Sequence, residues 1–279
     1  MYCETLHLKE CFSFLGENDC DPKLEVYIPD NIKELDRPGE RRPGVLLLPG
    51  GGYRFVSRRE AEPVAMHLLS LGYNVFTLTY SVAPNAFPTQ LREVAAAMEL
   101  ISENQAQWYT DAEKIAIMGF SAGGHLAAHY TNRYDCPEVR AVFPQSKPVA
   151  ASVLCYPVIT ATPGISHRGS FEKLNGGTYP ETQEKIDFFS CEKMVSDRTP
   201  PTFLWHCTGD KTVPVQNSIL YALALSEHKV PFRMEIFPDG KHGMSTCDHV
   251  TANELSPQAQ TVKAWLPAVK QWLHEILEA

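Results

Sequence analysis

The sequence predicts an α/β protein with a mostly parallel central sheet of about eight strands and helices on both faces. Three observations predict it. Short apolar runs alternate with helical patterns along the chain, the rhythm of strands joined by crossover helices. Runs such as Val45–Leu48 are continuously apolar, as a strand covered on both faces requires. The length of 279 residues suits one large α/β domain able to bury an extended core.

Each element has its own warrant. Leu6–Phe14 and Leu24–Ile28 alternate loosely and read as an antiparallel hairpin at a sheet edge, with turn chemistry from Asn18, Asp19 and Asp21–Pro22. Asp30–Gly44 is charged, contains Pro and Gly, and reads as a loop. Val45–Leu48 is a buried strand that stops at Pro49-Gly50-Gly51-Gly52. Arg59–Leu71 reads as a helix ended by Gly72, and Val75–Tyr80 as the next strand. In Pro88–Glu103, residues Leu91, Val94, Ala95, Met98 and Ile101 share one helical face. Ile115–Met118 is a strand and Ala122–Arg133 a helix. Val149–Tyr156, Thr202–His206 and Phe232–Ile236 are further strands. Gln216–His228 and Ser256–Ala279 are helices, the last carrying Trp265, Leu266, Val269, Trp272, Leu273 and Ile276. Ile159–Thr199 breaks the rhythm, with weak helical pieces near Ser166–Leu174 and Glu181–Met194. It is expected to be an insertion that caps part of the active site. No repeat, low-complexity tract or linker is seen, so a single domain over residues 1–279 is expected.

Composition narrows the function classes. The net charge is −8, and the basic stretches Arg41–Arg42 and Arg58–Arg59 are short. Nucleic acid and anionic membranes are therefore poor partners. The N-terminus lacks a basic start followed by an apolar run. No segment approaches the ~18 consecutive apolar residues needed to span a bilayer. The expected location is cytoplasmic. The eight cysteines are scattered without a C-x-x-C pair and are expected as free thiols, Cys155 and Cys207 packed in strands. A homodimer is left open, because no exposed apolar patch can be read from sequence.

Four motifs carry chemistry. Gly119-Phe120-Ser121-Ala122-Gly123 fits G-x-S-x-G between a strand, Lys114–Met118, and an Ala-rich helix. A sharp strand-to-helix turn presents such a serine above the sheet edge, and the helix N-terminus beneath it favours developing negative charge. Pro49-Gly50-Gly51-Gly52-Tyr53 follows a buried strand. Its Gly51 and Gly52 amides, with that of Ala122, are expected to form an oxyanion hole. A phosphate-binding loop is disfavoured, since neither a following Lys-Ser/Thr nor G-x-G-x-x-G spacing is present. Asp210 comes directly after the strand Thr202–His206 and is the candidate acid. Asp187 and Asp197 are rivals that follow no buried strand. His242 lies in a Gly-rich loop after the last strand and is the candidate base, with His249 its rival. The order Ser, Asp, His suits such a sheet. His206 is read as a core residue, and no Cys occupies an elbow. His125 and His129 lie four residues apart on a helix, but Leu126 stands where H-E-x-x-H needs Glu. Both are read as structural, and no metal is expected.

The strings PGGGY at 49–53, GFSAGGHLA at 119–127, PPTFLWHCTGDKTVPVQNS at 200–218 and FPDGKHG at 237–243 together resemble the α/β-hydrolase superfamily. Within it the chain looks like the esterase/lipase group that holds acetyl esterases and acetyl-xylan-esterase- and feruloyl-esterase-like enzymes. Hormone-sensitive-lipase-like relatives carry a His before the glycines, where this chain has Pro49. The resemblance implies a serine esterase with Ser121, Asp210 and His242 as triad, a small-molecule ester substrate and no cofactor. It also implies deacetylation of small carbohydrate esters of the xylo-oligosaccharide type. An aryl-formamidase or small peptidase shares the chemistry, and a catalytically silent hydrolase-fold binding protein is the alternative of another class. Tyr53 is the candidate substrate-binding residue. Tyr80, Tyr156 and Phe171 could stack on a sugar or aryl group, with core packing the alternative for each.

Overall fold

A computed structural model describes residues 1–15, 20–31, 34, 39–252 and 257–278. Its strands are β1 (Tyr2–His7), β2 (Lys23–Ile28), β3 (Arg42–Leu48), β4 (Asn74–Thr79), β5 (Thr110–Phe120), β6 (Ala151–Cys155), β7 (Thr202–Cys207) and β8 (Phe232–Phe237). They form one sheet in the order β1-β2-β4-β3-β5-β6-β7-β8. The β1/β2 and β2/β4 pairs are antiparallel and all the others parallel.

The helices are α1 (Leu8–Cys11), α2 (Glu62–Leu69), α3 (Thr89–Glu103), α4 (Ala122–Arg133), α5 (Pro137–Arg140), α6 (Arg168–Leu174), α7 (Gln183–Phe189), α8 (Gln216–Glu227), α9 (Pro257–Val262) and α10 (Trp265–Leu277). Strand β3 shows why the central strands read as unbroken apolar runs. Leu46 and Leu48 pack with α3, α4 and α8 on one face. Val45 and Leu47 pack with α2 and α10 on the other. All four are fully buried, so the alternation of a half-exposed strand never develops. No helix among the described residues is long and apolar enough to cross a membrane.

Four elements depart from expectation. The edge hairpin is present, but its first strand is Tyr2–His7 rather than Leu6–Phe14. Leu8 and Phe12 are joined by a helical turn, with the Phe12 N–H donating to the Leu8 carbonyl at 2.8 Å, and Phe12 packs edge-on against Phe143. Their spacing of four is helical, and the apparent alternation concealed it. The helix expected over Arg59–Leu71 is a 3₁₀ turn, Arg58–Glu60, followed by α2. Ala61 between them sits at φ −104°, ψ −105°, outside the helical region, and Pro63 favours a first turn. The terminal helix is likewise two. Pro267 has no N–H to continue a helix from upstream and so belongs in the first turn of α10. The loop expected over Asp30–Gly44 ends earlier, because β3 begins at Arg42. Asn18 and Asp19, part of Asp30–Gly44, and the ends of the last helix at Ser256 and Ala279 lie outside the described residues.

The motif-bearing loops all leave the sheet at the carboxyl ends of parallel strands, where open α/β sheets form their binding crevices. Residues 49–53 follow β3, Ser121 follows β5, Asp210 follows β7 and His242 follows β8. Gly119 makes the approach of β5 to α4 close enough. A Cβ on it would lie 2.2 Å from the Gly123 carbonyl oxygen.

Gly123→Ala would bring a methyl group to 2.2 Å from the Leu48 carbonyl oxygen and 2.4 Å from that of Pro49. Both neighbours are backbone and cannot rotate away. The expected loss is about 3 kcal/mol, the upper end of the overpacking range, read as a lower urea midpoint. An unchanged midpoint would contradict this helix–strand approach.

Candidate active site

Ser121 is the turn between β5 and α4. Its backbone sits at φ 53°, ψ −116°, a region that non-glycine residues rarely adopt. Its N–H donates to the Cys155 carbonyl at 3.0 Å, and its own carbonyl accepts from the His125 and Val158 N–H groups. The hydroxyl thus emerges at the sheet edge above the α4 N-terminus.

The structure brings the three predicted side chains together. Ser121 Oγ lies 2.7 Å from His242 Nε2, and His242 Nδ1 lies 2.6 Å from Asp210 Oδ2. A carboxylate only accepts, so His242 Nδ1–H donates to Asp210 and its Nε2 is free to accept from the serine hydroxyl. Strand β6 separates β5 from β7, so Ser121 and Asp210 leave the sheet two strands apart. The imidazole fills that gap.

Asp210 is buried. Its Oδ1 accepts the N–H groups of Thr212 and Val213, both at 2.9 Å. Burial pushes its carboxyl up, but hydrogen bonds from His206 and His242 outweigh this and hold it well below the usual carboxylate range. His206, in β7, is a core residue as expected. It donates from Nε2 to the Val213 carbonyl at 2.9 Å and accepts at Nδ1 from Ser218 Oγ at 2.8 Å, with Asp210 Oδ2 at 3.3 Å.

The rival acids Asp187 and Asp197 and the rival base His249 are exposed and outside this arrangement. His125 is fully buried, donating from Nε2 to the Phe189 carbonyl and accepting at Nδ1 from Tyr53 Oη, both at 2.8 Å. Burial drives its pKa down to about 4, which keeps it neutral. Tyr53 is accordingly not where a substrate-binding residue was expected. Its φ of 56° turns the ring into the core against His125 and Tyr80. Tyr80 donates to the Pro49 carbonyl, and Phe171 packs on His125. Core packing accounts for all three rings.

The glycine loop turns tightly, with the Arg54 and Phe55 N–H groups donating to the Gly51 carbonyl. Gly51 has φ +133°, and a Cβ there would lie 1.8 Å from the Phe55 carbonyl oxygen. Gly51 and Gly52 line a cavity of about 370 Å³ together with Ser121 and His242, toward the lower end of small-molecule sites. Among the described residues, the N–H groups of Gly51, Gly52 and Ala122 have no acceptor within the protein.

Sequence reading missed the groups that support this centre. Glu60 is 3% exposed, yet both its oxygens are satisfied. Oε2 accepts the Gly50 N–H at 2.8 Å, and Oε1 accepts the Tyr156 hydroxyl at 2.6 Å. Burial, then the Glu60 charge, raises the Tyr156 phenol well above its ordinary range, so it remains a donor. The Tyr156 ring meets His242 edge-to-face at 5.1 Å, and its oxygen accepts the Ser245 N–H. Trp265 of α10 donates to the Ser245 carbonyl at 3.0 Å, fixing the loop just beyond His242. His167, from the Ile159–Thr199 segment, also lines the cavity and bonds Ser170 Oγ. Burial chiefly, aided by His242 and Arg54, lowers its pKa. No spacing signal in the sequence marks Glu60, Ser245 or His167.

A BD-FAE family model matches residues 24–225. The chain belongs to the BD-FAE family. This BD-FAE member has the α/β-hydrolase fold. It superposes with a TM-score of 0.82 on an acetyl ester-xyloside bifunctional hydrolase from Caldicellulosiruptor lactoaceticus, at 33% identity over 98% of this chain and 96% of that one. It is 34% identical to endo-1,4-beta-xylanase B of Butyrivibrio fibrisolvens over 80% of its own length and 35% of the relative's. It is 27% identical to an acetylxylan esterase of Xylanibacter ruminicola over 83% of its length and 45% of that protein's. This BD-FAE chain therefore spans less than half the length of these two curated relatives.

Two predictions follow from the geometry of the centre. In Glu60→Gln one amide nitrogen must face either the Gly50 N–H or the Tyr156 hydroxyl, both of which donate. A buried unpaired donor should cost about 1–3 kcal/mol, measured by urea unfolding, whereas no loss would show that neither bond matters. Asp210, with its lowered pKa, adds stability above the ordinary carboxyl range near about 4. That stability is lost as pH falls toward the folded-state value. The stability gap between the protein and Asp210→Asn should therefore narrow steadily below about pH 4; a pH-independent gap would contradict the assignment.

Proposed function

We propose that this chain is a serine carboxylic-ester hydrolase that works through an acyl-enzyme and removes acetyl groups from small carbohydrate esters of the xylo-oligosaccharide type. The observation that carries the proposal is the continuous hydrogen-bonded line from Ser121 Oγ through His242 to Asp210. His242 Nε2 takes the serine proton as Oγ attacks the ester carbonyl carbon. Asp210 holds the ring in the tautomer that leaves Nε2 unprotonated and offsets the imidazolium charge that follows. The amides of Gly51, Gly52 and Ala122 receive the oxyanion. The protonated His242 gives its proton to the departing alcohol. The same nitrogen then accepts a proton from water as the water oxygen attacks the acyl carbon, and it returns that proton to Ser121 Oγ as the acyl–Oγ bond breaks and the acid leaves.

Two relatives lend support to the substrate class: one is named an acetylxylan esterase and another an acetyl ester-xyloside hydrolase. The cavity, at about 370 Å³, suits a small ester.

The test is hydrolysis of p-nitrophenyl esters from acetate to decanoate, with Ser121→Ala as the blank. Activity confined to acetate and propionate is expected, with Ser121→Ala folded and reduced by a factor of about 10⁴ or more. Full activity in Ser121→Ala would overturn the mechanism. A maximum at long chains would overturn the carbohydrate acetyl ester. Turnover of a formyl anilide in preference to acetyl esters would move the assignment to an amide hydrolase.

A further inference from the structure

The cavity beside Ser121 is more cationic than the protein around it. The chain carries a net charge of −8, yet Arg54, Arg59 and Lys173 all line this cavity. Its one lining carboxylate, Glu60, already accepts from Tyr156 and Gly50. Among the described residues none of the three cations meets a carboxylate, while Lys23, Arg58, Lys147, Arg168, Arg198 and Arg233 each do.

Two of the three make contacts that leave their charge unneutralised. Arg59 donates from Nη1 to the Thr251 carbonyl at 3.2 Å. The Arg54 guanidinium sits 5.8 Å from the centre of the Phe55 ring. Phe55 itself lines the cavity and is 51% exposed, an apolar surface of the kind on which a sugar ring stacks. An acidic protein repels anions at long range, so a carboxylate that settles here must be held by local contacts. Guanidinium groups suit it, because their forked donors match its two oxygens.

We propose that this cavity binds an ester whose sugar carries a carboxylate, with Arg54, Arg59 and Lys173 receiving the carboxylate and Phe55 the ring face. The inference rests on the esterase reading above and narrows its substrate to an acetylated acidic sugar.

Binding is measured by calorimetry on Ser121→Ala, with acetylated glucuronate and acetylated glucose as the matched probes. Acetylated glucuronate should bind about tenfold more tightly at low salt, a modest margin because exposed ion pairs are weak. That margin should shrink as salt is raised. Adding Arg54→Gln, Arg59→Gln and Lys173→Gln together should remove it. If that combination does not fold, Arg54→Gln alone, at an exposed position, should reduce the margin about threefold. Equal binding of the two probes, no binding of either, or a margin untouched by salt and by these substitutions would overturn the proposal. Hydrolysis of p-nitrophenyl acetate by the unaltered protein reports on the esterase reading separately. A protein that prefers the acidic probe but hydrolyses no ester would sink that reading and leave the anion site standing.

Discussion

At Ser121 the backbone is kept at φ 53°, ψ −116°, a conformation that costs of order 1–3 kcal/mol and persists only where its surroundings over-determine it. The surroundings here are backbone. The Ser121 N–H is tied to β6 through Cys155, and its carbonyl is tied to α4 through His125 and to the start of the next segment through Val158. Beneath it, Gly119 and Gly123 bring β5, α4 and the end of β3 so close that no Cβ fits between them. Glycine there is a condition for the turn, and the turn is a condition for a serine hydroxyl 2.7 Å from an imidazole. The same contact of Gly123 with Leu48 and Pro49 sets where the glycine loop leaves β3. One close approach therefore places both Ser121 and the amides that face its cavity.

The second constraint works from the other face of the imidazole. Glu60 links the Gly50 N–H to the Tyr156 hydroxyl, and Tyr156 supports His242. A buried carboxylate with two donors is rigid, because moving either partner exposes a desolvated charge. Its reach covers the loop after β3, the end of β6 and the loop after β8. Ser245 completes the bracing. Its N–H bonds Tyr156, its hydroxyl bonds the Arg59 carbonyl and its own carbonyl accepts from Trp265. The indole of Trp265 is in turn stacked on Trp205 of β7 at 5.1 Å. The Trp265 N–H thus ties the His242 loop to the hydrophobic core under the sheet, which Met244 and Cys247 of the same loop also enter.

These two constraints differ in how legible they are in the sequence. Ser121 and Asp210 could be named because each follows an apolar strand, and His242 because it lies in a Gly-rich loop after the last strand. The parallel order of β3 to β8 then does the rest, since it sets all their loops on one edge. Glu60 could not be named. Reading Arg59–Leu71 as one helix makes Glu60 an ordinary solvated residue of a first turn. Only the break at Ala61, ahead of Pro63, aims it inward. Tyr53 failed for a related reason, because its place after three glycines suggested a cavity wall while its left-handed backbone turns the ring to His125. Local pattern reports which residues lie near the strand ends. It does not report which way a residue points once the chain leaves regular geometry.

Two buried acids at the site, Asp210 and Glu60, divide the electrostatic work on the proposed mechanism. Asp210 accepts from an imidazole and from backbone amides, and it is held ionised despite its burial. Its partner His242 gains a proton during the reaction, so this carboxylate is most useful when the charge appears. Glu60 accepts from a phenol and an amide, groups that stay neutral through every step. Its contacts do not change as the proton moves, which suits a support rather than a participant. Tyr156 stands between Glu60 and His242 and keeps the second carboxylate off the ring. Had Glu60 touched the imidazole directly, two acids would have favoured the imidazolium before substrate arrived, and Nε2 would no longer be free to accept from Ser121. The phenol lets one acid orient the base while the other fixes the scaffold around it.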